Sequence, residues 1–211
     1  MSGYLTFVFD DGYEPVLNEV VPMLNKHKIP AVFAVPIQSQ AVAAQEKIAT
    51  AGPDRWLPLK QSGHEIAAHS ISHADLTKLN KTQLLSELQQ PASLLHAQTL
   101  VYPGGAYNQT VTTAASRFYR FARTVEKGFE KIPPAEPMAL KTYNFTTANY
   151  RVWKANLLAV WACINNLWLI ETFHLVSSTP SSYPYFVSLK DFHRHLNFIR
   201  KLPIKIRTIS S

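Results

Sequence analysis

Tyr4-Leu5-Thr6-Phe7-Val8-Phe9 runs directly into Asp10-Asp11-Gly12. The first six residues are apolar and aromatic without alternation, which is how a strand buried on both faces of a parallel sheet reads. The two carboxylates fall where that strand leaves the core. An Asp-Asp-Gly stretch is an ordinary turn composition, but two adjacent acids at the mouth of a core strand are costly to bury without a cation.

The same pattern repeats along the chain. Further apolar strands are predicted over 29–35, 65–68, 99–102, 120–124, 167–173 and 204–208. Between them, helices are predicted over 15–28 with a kink at Pro22, and over 82–95, 108–118, 154–165 and 189–201. Residues 38–60 are less regular, with a helical start and a Gly-Pro-Asp turn, and 131–138 form a Pro-rich loop. Strand and helix alternation with about seven parallel strands gives an α/β class, as a barrel or a doubly wound sheet. The 211 residues suffice for one core, and no repeat or linker divides them, so 1–211 is read as one domain.

Composition removes several function classes. Lys+Arg is 21 against 14 for Asp+Glu, a net charge of +7, but the basic residues are dispersed. They form no dense block interleaved with aromatics, so no nucleic-acid partner is expected. The single cysteine, Cys163, rules out an intrachain disulfide and a cysteine-based zinc site. The longest uncharged stretch, 155–170, contains Asn156, Asn165 and Asn166 and is too short to span a bilayer; it reads as a buried helix leading into a strand. Met1, Ser2 and Gly3 precede the first strand with no visible secretory signal. A soluble chain is expected, with its compartment open.

Position along the strands is more informative. Asp10 and Asp11, His69, Tyr102 to Gly105, and His174 each directly follow a predicted strand. In a parallel α/β barrel the C-terminal strand ends share one face, which carries the chemistry. His69-Ser70-Ile71-Ser72-His73 separates two imidazoles by four residues. On one helical turn both would face the same side, as gripping one metal ion requires. Such pairs are common on surfaces. With Asp11 as a third donor they make a two-His, one-carboxylate set with a position open for water, the arrangement of catalytic zinc.

These residues resemble the polysaccharide deacetylase family, also called the NodB-homology or carbohydrate esterase family 4 domain. Val8-Phe9-Asp10-Asp11-Gly12 is similar to its first motif, which usually has Thr before the Phe. His69 to His73, preceded by Gly63-His64-Glu65-Ile66 and followed by Asp75-Leu76, is similar to the second. Tyr102-Pro103-Gly104-Gly105 is similar to the third and Phe173-His174 to the fifth; 189–208 looks like the closing helix and strand. The likeness is dense over 4–129 and thin over 130–166.

The resemblance implies a single-domain distorted (β/α) barrel that removes acetyl groups from carbohydrates. It implies Asp11, His69 and His73 as ligands of a divalent metal, Zn2+ first with Co2+, Mn2+ or Ni2+ as alternatives. It implies Asp10 as general base, His174 as general acid, and the Gly104 N–H as oxyanion donor beside Tyr102, Pro103 and Gly105. The expected substrate is an N-acetylglucosamine-containing glycan, and the expected state a monomer. Acetylxylan O-deacetylation and hydrolysis of another small amide are alternatives within the enzyme class. The non-enzyme alternative is an inactive glycan-binding domain, which has no need of all five acid, base and ligand residues.

Two departures stand out. Val101 occupies the third-motif position of an Arg that orients the catalytic Asp, and Gly104 occupies that of a Tyr. A Tyr-Pro-x-Gly third motif resembles the variant acting on poly-N-acetylglucosamine. No fourth motif is clear. Arg123 or Arg151 is the candidate replacement cation beside Asp10. His64 is expected to be satisfied locally, and His27, His96, His193 and His195 to sit on helix surfaces or ends. Trp153, Trp161 and Trp168 are read as core, and Tyr107, Tyr143 and Tyr150 as candidates for stacking on sugar.

Overall fold

In the computed structural model, which describes residues 3–211, seven parallel strands close on themselves. They are β1 (Tyr4–Phe9), β2 (Val32–Val35), β3 (Glu65–Ala68), β4 (Thr99–Val101), β5 (Phe121–Lys127), β6 (Leu140–Asn144) and β7 (Trp168–Phe173). Neighbours in sequence are neighbours in the sheet, and β7 returns to β1 in register from Tyr4↔Trp168 to Phe9↔Phe173. The architecture is therefore the barrel and not the open sheet.

The continuous apolar pattern follows from two burials. Val8, Val32, Ala34, Ala67, Val101, Leu140 and Ile170 form one cluster inside the barrel. The alternate residues Leu5, Phe7, Phe9, Phe33 and Phe173 belong to a second cluster shared with the helices. Phe9 stacks between Phe33 at 5.5 Å and Phe173 at 5.6 Å, with Phe192 edge-on at 5.6 Å. Each such ring contributes about 1.5–3 kcal/mol on burial, which fixes β1 on both faces.

Helices α1 (Val21–Lys26), α2 (Ser39–Glu46), α3 (Pro53–Trp56), α4 (Lys81–Leu95), α5 (Gln109–Ala115), α6 (Val152–Asn165) and α7 (Leu189–Ile199) lie along the chain between and after the strands. The irregularity expected at Pro22 is a change of helix type: Val16–Val20 is a π-helical turn, and α1 begins beside the proline. Proline has no N–H to continue the ladder. Asn80 and Gln83 close α4 with a reciprocal capping box.

Three expectations need correction. The seventh barrel strand is β6, which follows the Pro-rich loop at 131–138 in a stretch where no strand was predicted. Only Leu140 and Thr142 of its five residues are buried, so it lacks the apolar run of its neighbours. The strand expected over 204–208 shrinks to two residues. Counting the short parallel pair β8 (Leu175–Ser177) and β9 (Phe186–Ser188), it is β10 (Lys205–Ile206), paired with Tyr4 and Leu5. On that flank β1 gives its first half to β10 and Val8 and Phe9 to β2, which is the distortion of the barrel.

Second, His195 is not on a helix surface. It is fully buried, with Nε2 2.8 Å from Glu171 Oε2 and Nδ1 2.7 Å from Asn156 Oδ1. A buried carboxylate on β7 requires such a partner. Third, Trp153 and Trp161 are exposed and only Trp168 is core, its Nε1 donating to Thr6 Oγ1 at 2.9 Å. Among the described residues no helix is long and apolar enough to cross a membrane.

His64 is satisfied locally, as expected. Its Nδ1 accepts the Ala31 N–H at 3.1 Å and its Nε2 faces Asn25 Oδ1 at 2.9 Å. Nδ1 must stay unprotonated, and burial lowers the imidazole from its usual 6.5. Its contribution to stability is complete above pH 6.5 and is lost as pH falls through the lowered folded value. The melting temperature should therefore drop below pH 6.5, and less steeply in His64→Gln; equal slopes in both proteins would remove His64 as the cause.

Candidate active site

Asp10 continues the inward face of β1 set by Thr6 and Val8, and its N–H donates to Phe173 O at 3.0 Å. Asp11 and Gly12 then take φ of 71° and 69°, two consecutive left-handed residues. A side chain at Gly12 would meet Ala51 O and Trp56 Nε1, both at 3.4 Å. The sharp turn points the two neighbouring carboxylates at different partners.

Asp11 faces the imidazoles. Its Oδ1 lies 3.3 Å from Nε2 of His69 and 3.3 Å from Nε2 of His73. That oxygen is buried and makes no hydrogen bond of acceptable geometry. Ligands held about 2.0–2.1 Å from a tetrahedral ion stand roughly 3.3 Å apart, so the spacing fits a shared cation better than direct bonds. The Nδ1 of His69 lies 2.8 Å from Val101 O. A proton on Nδ1 leaves the Nε2 lone pair free, the usual outer support of a ligating histidine. Among the described residues, Asp11, His69 and His73 form a group whose donor atoms all lie within 4.8 Å of one another and could hold a metal ion. Burial pushes the Asp11 carboxyl up, but its contacts with His69 and His73 outweigh this and hold it well below the usual carboxylate range.

The two histidines do not share a helical turn. Residues 69–73 form a loop, with φ of 61° at Ser70 and 59° at His73. Glu87 of α4 shapes it, accepting the N–H groups of Ile71 at 2.7 Å and Ser72 at 3.1 Å and the Ser72 hydroxyl at 2.7 Å. Ser70 Oγ accepts the His73 N–H at 2.9 Å. The imidazole centroids end 4.8 Å apart.

Asp10 faces Arg123 of β5, which is fully buried and bonds Asp10 Oδ2 through Nη2. Arg151 lies elsewhere: it is exposed and its Nη1 donates to Thr147 O at 3.3 Å and Tyr150 O at 2.7 Å. His174, following β7, brings Nε2 to 3.7 Å from Asp10 Oδ2 and 4.0 Å from Asp11 Oδ2. Tyr185 packs on its ring at 4.6 Å.

Gly104 and Gly105 line the same cleft, with φ of 59° and 73°. A Cβ on Gly105 would lie 2.3 Å from Val125 Cγ2, so a side chain there would have to push the Val125 side chain aside. Tyr102 reaches the cleft wall, but its hydroxyl donates to Met138 O at 3.0 Å; Pro103 lies outside the lining.

Several residues in or behind the cleft wall carried no sequence signal. Tyr13 reaches Asp11 Oδ2 with its hydroxyl at 3.2 Å and meets Glu46 and, at 2.9 Å, the Tyr183 hydroxyl. Burial and then the Asp11 charge push its phenol pKa up, so it stays protonated. Asn144 also lines the cleft, whose volume is about 170 Å3.

The Arg123–Asp10 pair is buried at both ends, so removing one partner leaves an uncompensated charge at a cost of about 3–5 kcal/mol. Chemical denaturation should show a loss of that order for Arg123→Ala, a smaller loss for the double variant with Asp10→Asn, and a change within about 0.5 kcal/mol for exposed Arg151→Ala. Equal stability of Arg123→Ala and Arg151→Ala would mean that the pair holds nothing.

Comparison with known proteins places this geometry. Residues 2–119 match the family model described as "Polysaccharide deacetylase". A putative polysaccharide deacetylase, YxkH, of Bacillus subtilis is 28% identical over 128 residues, 57% of this chain and 44% of its own length. A chitooligosaccharide deacetylase of Bradyrhizobium is 33% identical over 88 residues, 41% of this chain and 35% of its own. The chain spans less than half the length of these relatives. The chitin deacetylase of Colletotrichum lindemuthianum has a similar structure, with a TM-score of 0.65 at 15% identity, covering 100% of this chain and 87% of the other. A carbohydrate esterase family 4 pseudoenzyme from Bacillus anthracis is also similar, at a TM-score of 0.62 and 13% identity, covering 99% and 64%. The family model covers more than half of the chain and includes both carboxylates, both imidazoles and the Gly-Gly turn, so the chain belongs to the polysaccharide deacetylase family.

Proposed function

We propose that the chain is a metal-dependent hydrolase that removes N-acetyl groups from N-acetylglucosamine-containing poly- or oligosaccharides. The observation that carries this reading is the division of labour between the two adjacent acids, Asp11 at 3.3 Å from two imidazoles and Asp10 on a buried arginine. Asp11, His69 and His73 would hold the ion. A divalent ion there, Zn2+ first, would polarise the acetyl carbonyl and acidify the attacking water.

The chain's own residues do the rest. Arg123 holds Oδ2 of Asp10, while Oδ1 has no partner and is the oxygen free to take the water's proton. The water oxygen bonds to the acetyl carbon, and the Gly104 N–H donates to the developing oxyanion. His174, restrained by Tyr185 against its ring, gives a proton to the sugar nitrogen as the C–N bond breaks. Acetate and the free amine leave. The choice of an amide over an ester is supported by the relative named as a chitooligosaccharide deacetylase and by the Tyr-Pro-x-Gly motif.

Acetate release from chitooligosaccharides, poly-N-acetylglucosamine, peptidoglycan and acetylxylan, each with and without chelator, tests the proposal. The expected result is release from the N-acetylated glycans that chelator abolishes and added metal restores. Asp10→Asn and His174→Ala should each lose about 10²–10⁴-fold in kcat, while Asp11→Ala should lose bound metal by elemental analysis. Turnover indifferent to chelator would overturn the metal role, and turnover of acetylxylan alone the substrate. Glycan binding without turnover would favour the inactive binding domain.

A further inference from the structure

Helix α6 is built the wrong way round for a surface helix. Ala155, Ala159 and Ala162 are buried against the barrel, while Trp153, Leu157, Trp161 and Ile164 are 61%, 58%, 56% and 75% exposed. These large residues recur at helical spacing and form one stripe down the outward face. A surface helix ordinarily turns its apolar stripe to the core and its charges to water. Here Lys154 is the only charged residue of fourteen. Most of the large apolar side chains exposed among the described residues lie on this one helix. A contiguous apolar stripe of this kind marks an interaction surface.

The surroundings of the stripe are basic. Arg151 stands at the N-cap of α6 and Lys154 in its first turn, where the helix dipole favours acids, and that turn has no acid. Lys127 lines the hollow on one side of Trp153. Arg194 lines the hollow on the other side, where the one acid, Asp191, already lies 3.2 Å from that arginine. At the far end of the helix, Cys163 Sγ donates to Pro203 O at 3.7 Å, which brings the segment carrying exposed Lys201 and Lys205 beside the last turn.

We infer that α6 docks along its length on an anionic lipid bilayer, with the Trp153–Ile164 stripe among the headgroups and upper acyl chains and the flanking cations against the lipid phosphates. Charge complementarity chooses this occupant. An apolar stripe flanked by Lys and Arg is the composition of an interfacial helix, and tryptophan is favoured at headgroup level. Fourteen residues are too few to cross a bilayer, so the helix lies on the surface. A second copy of the chain fits less well, because a two-fold contact centred on α6 would set one basic rim against another. Helix α6 connects the parallel strands β6 and β7, so it runs opposite to them and its first turn stands at the rim that carries the cleft. Docked in this way, the cleft opens along the bilayer and not into it.

Vesicles test this without substrate. The protein is titrated with vesicles of phosphatidylcholine alone and of phosphatidylcholine mixed with anionic phosphatidylglycerol. Binding is read by sedimentation and by quenching of tryptophan emission from lipids brominated in the upper acyl chain. Trp56 and Trp168 are buried, so the quencher reports Trp153 and Trp161. The wild type should bind the mixed vesicles with quenching, more weakly as salt is added, and should leave the neutral vesicles in solution. Trp161→Ala should weaken binding by about 10-fold and Lys154→Gln by about 5-fold, both with the melting temperature of the wild type because both side chains are exposed. Leu94→Ser, exposed on α4, should bind as the wild type does. Failure to bind the mixed vesicles would overturn the inference. So would sedimentation without quenching, or binding unaltered in Trp161→Ala, since either puts the contact elsewhere. A dimeric mass in solution that Trp161→Ala halves, in a protein that ignores vesicles, would make the stripe a contact between copies and overturn it too. None of these readouts needs acetate release, so failure here leaves the proposed hydrolase untouched.

Discussion

Two neighbouring carboxylates are buried to within 3% of full exclusion from solvent at the end of one strand, and the rest of the site exists to make that tolerable. Desolvating one ionised acid costs several kcal/mol, and a like charge on the next residue adds to it. The fold gives each acid its own counterpart. Asp10 receives a guanidinium threaded through the barrel from β5, and Asp11 receives two imidazoles set at the spacing of a coordination shell. The left-handed turn at Asp11 and Gly12 keeps the two environments apart.

Closure of the barrel sets the second relationship. Phe9 and Phe173 are opposite each other in the β1–β7 ladder, so the next residue on each strand, Asp10 and His174, leaves the core side by side. Their separation is inherited from the spacing of hydrogen-bonded strands, about 4.8 Å, and not from loop conformation. The proposed base and acid therefore stand at the ends of two directly paired core strands. Glu87, Ser70 and the Val101 carbonyl do for the His69–His73 loop what the ladder does for Asp10 and His174.

The sequence revealed whatever depended on local pattern. The buried strands were legible from their unbroken apolar runs, and the chemistry from the polar residues placed just after them. Arg123 was one of two candidates to replace the missing third-motif arginine, and the sequence alone did not choose between it and Arg151. What escaped was tertiary. β6 is too polar to announce itself, being completed by its neighbours' hydrogen bonds. His69 and His73 suggested a helical turn because the spacing allows one, yet Glu87, distant in sequence, captures the N–H groups and imposes a loop. His195 looked like a surface residue since nothing near it in the chain reveals Glu171. Tyr13 gave no hint of its role, which depends on where Glu46 and Tyr183 arrive.

The shared flank of β1 has a bearing on assembly. This strand is the first of the barrel in chain order, yet its backbone is satisfied by β7 on one side and, on the other, partly by Lys205 and Ile206, which follow the last barrel strand. Thr6 Oγ1 also waits for Arg207 O, which it meets at 2.8 Å. A nascent chain emerging from the ribosome would carry an aromatic, adhesive ribbon with a border bare until the rest of the barrel had been made. Birth order and order of completion are thus reversed at the very strand that carries both acids.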